Sequence, residues 1–367
     1  MTSTVSIDKV LTRGTDVLNA TPGFKLVGRD EELTELSTIL MKMGKRNLVI
    51  TGKPGVGISA IVLGIQASKE DPTTPVEIVG KRLYYLNSDL VFESGNQQVI
   101  NSMWEKVRQT LTATNNSVLV IEDTIDLIRS TQAHGCSNLI NGLMGDIKAR
   151  KYQAIFETKD ESLGEVLKCD GDIREFCTLY EVQEPSTENL KLIVKEAAKN
   201  LQKHYNITIA DSALDTAVML TEKYKLPELR AQPDAAITLL DRSLAEVSRR
   251  AHLCPEHTDK KAWDDSQKII RKLYKEIRHC EDEIRDLETQ LESTRKESSE
   301  NAKTSGMNID QFDTPEASEI HKQIVKIDQI CQKATTDYKA KVVEIYKGLS
   351  VTDRSVLHSF STISGIP

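Results

Sequence analysis

The chain has 367 residues, a formal net charge of −7 and a pI near 5.7. That balance gives no global reason to expect nucleic-acid binding, and no apolar run approaches the roughly 18–20 residues of a membrane-spanning helix. Residues 1–20 carry Asp8, Lys9, Arg13 and Asp16 and have no apolar core, so no signal peptide is visible and a cytoplasmic location is expected.

In chain order, residues 1–25 are polar with one apolar helical stretch and read as an N-terminal arm. From Val27 to Ile65 the pattern is helix, strand, loop, helix, with the strand at Asn47–Thr51. Further strands are expected at Lys81–Leu86, Ser117–Ile121, Tyr152–Thr158 and Thr178–Val182, separated by helical patterns. Strands alternating with helices predict an α/β fold with a parallel sheet covered on both faces. From Thr187 to His252 the periodicity is helical throughout, with Leu190, Ile193, Val194 and Ala197 at helical spacing. Two heptad runs follow. Ile270, Leu273, Ile277, Cys280, Ile284, Leu287 and Leu291 form one; Ile320, Ile324, Ile327, Cys331, Ala334 and Tyr338 form the other. With a polar break from about Ser293 to Pro315 between them, they predict an antiparallel coiled-coil hairpin or, more plainly, two amphipathic surface helices. The cysteines (Cys136, Cys169, Cys177, Cys254, Cys280, Cys331) lack metal-ligand spacing and read as free thiols.

The stretch with most chemistry is Gly52-Lys-Pro-Gly-Val-Gly-Ile-Ser-Ala60. The phosphate-binding Walker A pattern is G-x-x-x-x-G-K-[ST]. Its glycines fall at Gly52 and Gly57 and its hydroxyl at Ser59, but its lysine position is Ile58. In such a loop the backbone amides cradle phosphate, the lysine offsets β/γ charge and the hydroxyl ligates Mg²⁺. Here the cradle of Gly52, Lys53, Pro54, Gly55, Val56, Gly57, Ile58 and Ser59 is kept and the cation is lost. The helix that follows still favours an anion at its N-terminus. Lys53 is either an exposed surface lysine or a substitute cation of the kind found in MinD-like ATPases.

Taken together, the parts resemble the first ATPase module of the Clp AAA+ unfoldases and disaggregases, of which ClpB, ClpC and ClpV are examples. Leu26-Val-Gly-Arg-Asp-Glu-Glu32 is similar to "IGRDEE", Gly52–Ala60 to "GEPGVGKTA" and Leu119-Val-Ile-Glu-Asp123 to the Walker B strand "LFIDE". Glu184-Pro-Ser186 matches "EPS", Pro233–Asp241 resembles "PDKAIDLID", and Ser364-Gly-Ile-Pro367 resembles "TGIP". The resemblance implies five parts: the arm (1–25), an AAA+ large α/β domain (26–185), a helical small domain (186–257), a coiled-coil middle domain (258–347) and a linker (348–367) toward a second module.

It also implies roles. Glu122 with Ser59 would hold Mg²⁺, and Asp123 would polarise water, although the family's Asp-Glu order is reversed. Thr158 aligns with the polar sensor on the fourth strand, in Phe156-Glu-Thr-Lys159 where the family has "GATT". Arg174, in Ile173-Arg-Glu-Phe176, fits one arginine finger only with a one-residue shift, and Glu175 replaces the other. Ala235 stands where a second sensor cation is expected. Phe92–Val99 lacks the pore-loop aromatic, Phe92 falling too early. ATP or ADP with Mg is therefore expected to bind weakly or not at all. The expected function is a catalytically degenerate scaffold or regulatory component of a homo- or hetero-oligomeric ring. Its partner would be an active AAA+ module or a client protein held by the coiled coil. The alternatives are a slow ATPase that uses Lys53, and an adaptor that uses no nucleotide.

Overall fold

All five apolar runs expected as strands pair into one sheet. The computed structural model describes residues 6–169, 171–251, 260–305, 315–346 and 349–366. The strands are β1 (Leu11–Arg13), β2 (Asn47–Gly52), β3 (Arg82–Leu86), β4 (Ser117–Ile121), β5 (Gln153–Lys159) and β6 (Cys177–Val182). Their order is β1-β3-β4-β5-β2-β6. All neighbours are parallel except β1, which runs antiparallel to β3 with Leu11 opposite Leu86.

Successive strand residues point to opposite faces, and here both faces are covered. Leu48, Ile50, Leu83, Tyr85, Val118, Val120 and Ile155 belong to one buried cluster, together with Leu36, Ile39 and Leu40 of helix Asp30–Met41 and Ile61, Val62 and Ile65 of helix Ile58–Ala67. Val49, Tyr84, Leu86, Leu119, Ile121, Ala154 and Phe156 belong to the other, with Ile100, Trp104 and Val107 of helix Gln97–Ala113 and Leu143 and Ile147 of helix Asn138–Lys148. Burial on both faces is why these strands read as continuous apolar runs.

The two ends of the chain depart from expectation. Residues 1–25 do more than form an arm, because β1 extends the sheet and Val10 and Leu11 are buried in its core. The polar residues on either side of them hide this short strand in the sequence. Residues 348–367 are not simply a linker. Ser350–Val351 (β8) pairs in parallel with Thr208–Ile209 (β7). Helix Asp353–Ser364 has a capping box at Thr352 and Ser355, and it buries Val356 and Phe360, with Phe360 5.6 Å from the Tyr224 ring.

The chain divides into two compact units: residues 1–201, 210–242 and 352–367, and residues 202–209 and 243–351. Neither division falls at the expected 185/186 boundary, because helix Asp211–Lys223 and helix Asp353–Ser364 belong with the sheet. In the second unit, helices Lys260–Ser305 and Pro315–Tyr346 lie against each other. They run antiparallel. The Tyr274 and Tyr338 ring centroids are 6.0 Å apart, and farther along the first helix Cys280 neighbours Cys331, earlier in the second. Ile270, Ile277, Cys280 and Ala334 are buried and the other seam positions are half-buried. The first helix runs to Ser305, farther than the expected break at Ser293. Cys254, residues 306–314 and Pro367 lie outside the described residues.

Candidate phosphate-loop site

β2 sits between β5 and β6, and its carboxyl end feeds the glycine loop. Ligand sites of open α/β sheets lie beyond the carboxyl ends of the strands. A cavity of about 430 Å³ lies there, lined by residues 52–60, the acid pair Glu122 and Asp123, and Glu157, Thr158 and Lys159 of β5, with Pro233 and Asp234 on the helical side. The sheet thus brings together every expected site residue except Arg174. Arg174 is exposed on helix Gly171–Phe176 and does not line the cavity.

The loop keeps the conformation that phosphate binding requires. Gly55 and Gly57 have φ of +93° and +97°, a region costly for side-chain-bearing residues. Gly57 caps helix Ile58–Ala67, whose first amides have no partner within the helix. Arg29, from the "GRDEE" stretch, is almost wholly buried. It donates to the Val56 carbonyl at 2.8 Å and the Gln183 carbonyl at 2.9 Å, and it pairs with Glu32. Residues 230–234 close the loop from the other side: the Ala231 amide donates to the Pro54 carbonyl at 3.0 Å and the Asp234 amide to the Gly55 carbonyl at 3.3 Å.

A Cβ on Gly55 would lie 2.7 Å from Arg230 Cβ and 2.8 Å from Asp234 Cβ, whereas one on Gly57 would meet nothing within 4 Å. Both positions carry backbone strain, but only Gly55 adds a collision. Gly55→Ala should therefore lower stability by about 1–3 kcal/mol and more than Gly57→Ala does, as read from thermal midpoints. Equal losses would show that residues 230–234 do not press on the loop.

The polar side chains have more specific surroundings. Ile58 packs half-buried against the apolar cluster beneath the loop. Its Cδ1 lies 3.5 Å from where a Gly52 Cβ would stand. Lys53 is exposed. Its charge reaches Glu184: burial pushes that carboxyl up, but hydrogen bonds from Lys225 and the Gln232 amide, with the charges of Lys225 and Lys53, hold it below its ordinary range. Asp123 caps helix Thr124–Ala133 by accepting from the Asp126 amide at 3.4 Å, and it pairs with Lys159 at 3.8 Å. The Glu122 carboxyl lies at the cavity mouth, and desolvation by the surrounding protein raises its pKa. The Thr158 hydroxyl donates to the Lys159 carbonyl at 3.5 Å.

Ala235 and Phe92 do not line the cavity. Ala235 is buried in the helical part, so its side chain does not stand where a sensor cation would act. Phe92 is also buried and stacks on His134 at 5.3 Å.

The residue missed from sequence is Glu157. It is 2% exposed, and its Oε2 accepts a 2.8 Å hydrogen bond from the Ser59 hydroxyl. Its Oε1 has no partner among the described residues. Burial pushes its pKa up to about 8, against the opposing Ser59 hydrogen bond and with help from Glu122. Strand parity is the signal that would have found it. Glu157 is two residues from buried Ile155 and pairs in register with Ile50, so it faces the side that carries helix Ile58–Ala67.

A phosphate group fits the glycine cradle and the helix N-terminus. The Ser59 hydroxyl donates its proton to Glu157, which leaves its oxygen lone pairs available to a magnesium ion held with phosphate. Among the described residues no group of three His, Cys, Asp or Glu side chains is arranged to hold a metal.

Residues 186–310 match the family model of the AAA lid domain. ClpC of Staphylococcus aureus, the ATP-binding subunit of an ATP-dependent Clp protease, is 26% identical over 277 residues, covering 74% of this chain and 34% of that protein. ClpC of Staphylococcus saprophyticus is 26% identical over 315 residues, covering 86% of this chain and 34% of that protein. This chain therefore spans about a third of the length of these curated relatives. The Saccharomyces cerevisiae Hsp104–ADP complex superimposes with a TM-score of 0.64 at 20% identity, covering 99% of this chain and 56% of that one. A closed Hsp104 reconstruction with ATPγS and FITC casein gives 0.60 at 24% identity, over 66% and 42%. At that identity the structural likeness speaks for the fold alone.

A glycine loop at the carboxyl end of an internal strand of a parallel sheet is the arrangement of a phosphate-binding domain. The lid match and the ClpC relatives narrow the class: the module is Clp-like and similar to AAA+ modules.

Proposed function

We propose that this Clp-type module has kept its fold and lost strong nucleotide chemistry, and that it serves as a scaffold or regulatory subunit of a ring. The observation that carries the reading is Ile58. At the position that should offset phosphate charge, this side chain packs into the apolar layer under the loop. A cation aimed at developing phosphate charge contributes heavily to the rate of phosphoryl transfer. Its loss falls on ATP more than on ADP. In this proposal the antiparallel pair of long helices contacts a neighbouring AAA+ module or a client, and another module supplies the force.

Calorimetry of ATP and ADP with Mg²⁺ tests the reading. The unaltered chain should show no heat at tens of micromolar protein, and Ile58→Lys should tighten ATP binding by about ten- to a hundredfold, the worth of a charge-assisted hydrogen bond. Tight ATP binding by the unaltered chain, abolished by Lys53→Ala, would replace this proposal with the slow ATPase.

A further inference from the structure

We infer that Cys280 and Cys331 form a redox site: an external disulfide converts them into a reversible cross-link between the two long helices. The site lies outside the proposed function and does not depend on whether the loop binds nucleotide.

Register brings the two thiols together. The Tyr274 and Tyr338 rings meet at 6.0 Å, and from there the helices run antiparallel. Cys280 lies six residues beyond Tyr274, and Cys331 lies seven residues before Tyr338. At the rise of an α-helix the two cysteines stand within about 2 Å of the same level. The seams agree with this. Ile277, Cys280, Ile284 and Leu287 advance in steps of three, four and three, and Ala334, Cys331, Ile327 and Ile324 retreat in the same steps. All eight are buried or half-buried. Each residue of one run thus shares a layer with its counterpart, and one layer consists of the two cysteines. The small Ala334 in the adjoining layer leaves little side-chain bulk to hold the helices apart. Burial, and then the charge of Cys331, push the Cys280 thiol up, as two neighbouring sulfurs should.

Exposure sets the order of events. Cys331 is half-exposed, whereas Cys280 is 5% exposed. The Cys331 thiolate attacks one sulfur of an external disulfide such as oxidised glutathione. A mixed disulfide forms on Cys331, and one glutathione leaves as its thiolate. The Cys280 thiolate then attacks Cys331 Sγ, closes the internal S–S bond and expels the second glutathione. The two cysteines lose two protons and two electrons, and the external disulfide gains them and becomes two thiols. Solvent access to Cys331 leaves the reverse exchange open to a reductant.

The test is a glutathione redox titration of the full chain, followed by alkylation, peptide mapping and intact mass. Oxidised glutathione should protect Cys280 and Cys331 from alkylation together, with the bond inside one chain and no glutathione kept on either. Reduced glutathione should restore both thiols. Amide exchange at 277–284 and 327–334 should slow at least about tenfold in the oxidised chain. In Cys280→Ser, Cys331 should keep its glutathione, because no second thiol expels it. In Cys331→Ser, Cys280 should stay a free and slowly alkylated thiol. The measurement on the unaltered chain stands even where a variant misfolds. Four results there would each overturn the inference: glutathione retained on Cys331, both thiols still reduced under a large excess of oxidised glutathione, a bond between two chains, or a bond that leaves amide exchange unchanged. None of them bears on the loop, whose calorimetry decides the proposed function separately.

Discussion

Ile50→Ala should lower the unfolding free energy by about 2–5 kcal/mol, the range for deleting a large aliphatic side chain from a packed core. Ile50 is fully buried on β2, with a strand on each side and helix Ile58–Ala67 packed on its face. Three carbons are removed where neither neighbouring strand can close up, so the cost of an unfilled cavity adds to the lost transfer energy. The effect should reach the loop, because β2 continues into Gly52 without a break. The shift in urea midpoint measures the loss, and amide exchange of residues 53–60 should accelerate with it. A loss under about 1 kcal/mol would contradict β2 as an internal strand packed on both sides.

Asp146→Ala should cost about 2–4 kcal/mol at neutral pH, less than a fully buried pair because Arg108 and Lys151 retain some contact with water. Asp146, on helix Asn138–Lys148, accepts from Arg108 Nε at 2.6 Å and Nη2 at 2.9 Å, from Lys151 Nζ at 2.8 Å and from the Tyr152 hydroxyl at 3.2 Å. It ties helix Gln97–Ala113 to the turn that enters β5. Burial pushes its carboxyl up, but the hydrogen bonds and charges of Arg108 and Lys151 outweigh burial and hold the pKa below the ordinary aspartate value. A depressed folded-state pKa stabilises the protein above the unfolded value, near 4, and that stability disappears as the pH falls through the folded value. The gap between Asp146→Ala and the parent should therefore be full at pH 7 and shrink below about pH 4. A gap that stays constant to pH 2.5 would assign the loss to packing.

Much of the architecture was legible because it is local. The apolar runs at 47–51, 117–121 and 152–158 are long enough to mark strands, and the glycine spacing of the loop is a pattern of consecutive residues. The seam of the long helices was legible for the same reason: steps of three and four place Ile270, Ile277 and Cys280 on one face whatever the partner is. The ends were harder to read. Leu11–Arg13 is too short to show a period, and only the free edge of β3 makes it a strand.

The sequence by itself determined that a phosphate-type loop is present and that its cation is not, since both are statements about residue types at fixed spacing. It also determined the alternation that buries both faces of the sheet. Tertiary structure alone decided what surrounds the loop. Glu157 is 98 residues from the hydroxyl it holds, and Asp123 meets Lys159 only because β4 and β5 are neighbours. Ala235 and Arg174 do not line this chain's own cavity. Spacing along the chain fixes which groups exist and which strand face they take. Which two groups meet across a sheet depends on strand order, and strand order is set by how all the helices pack.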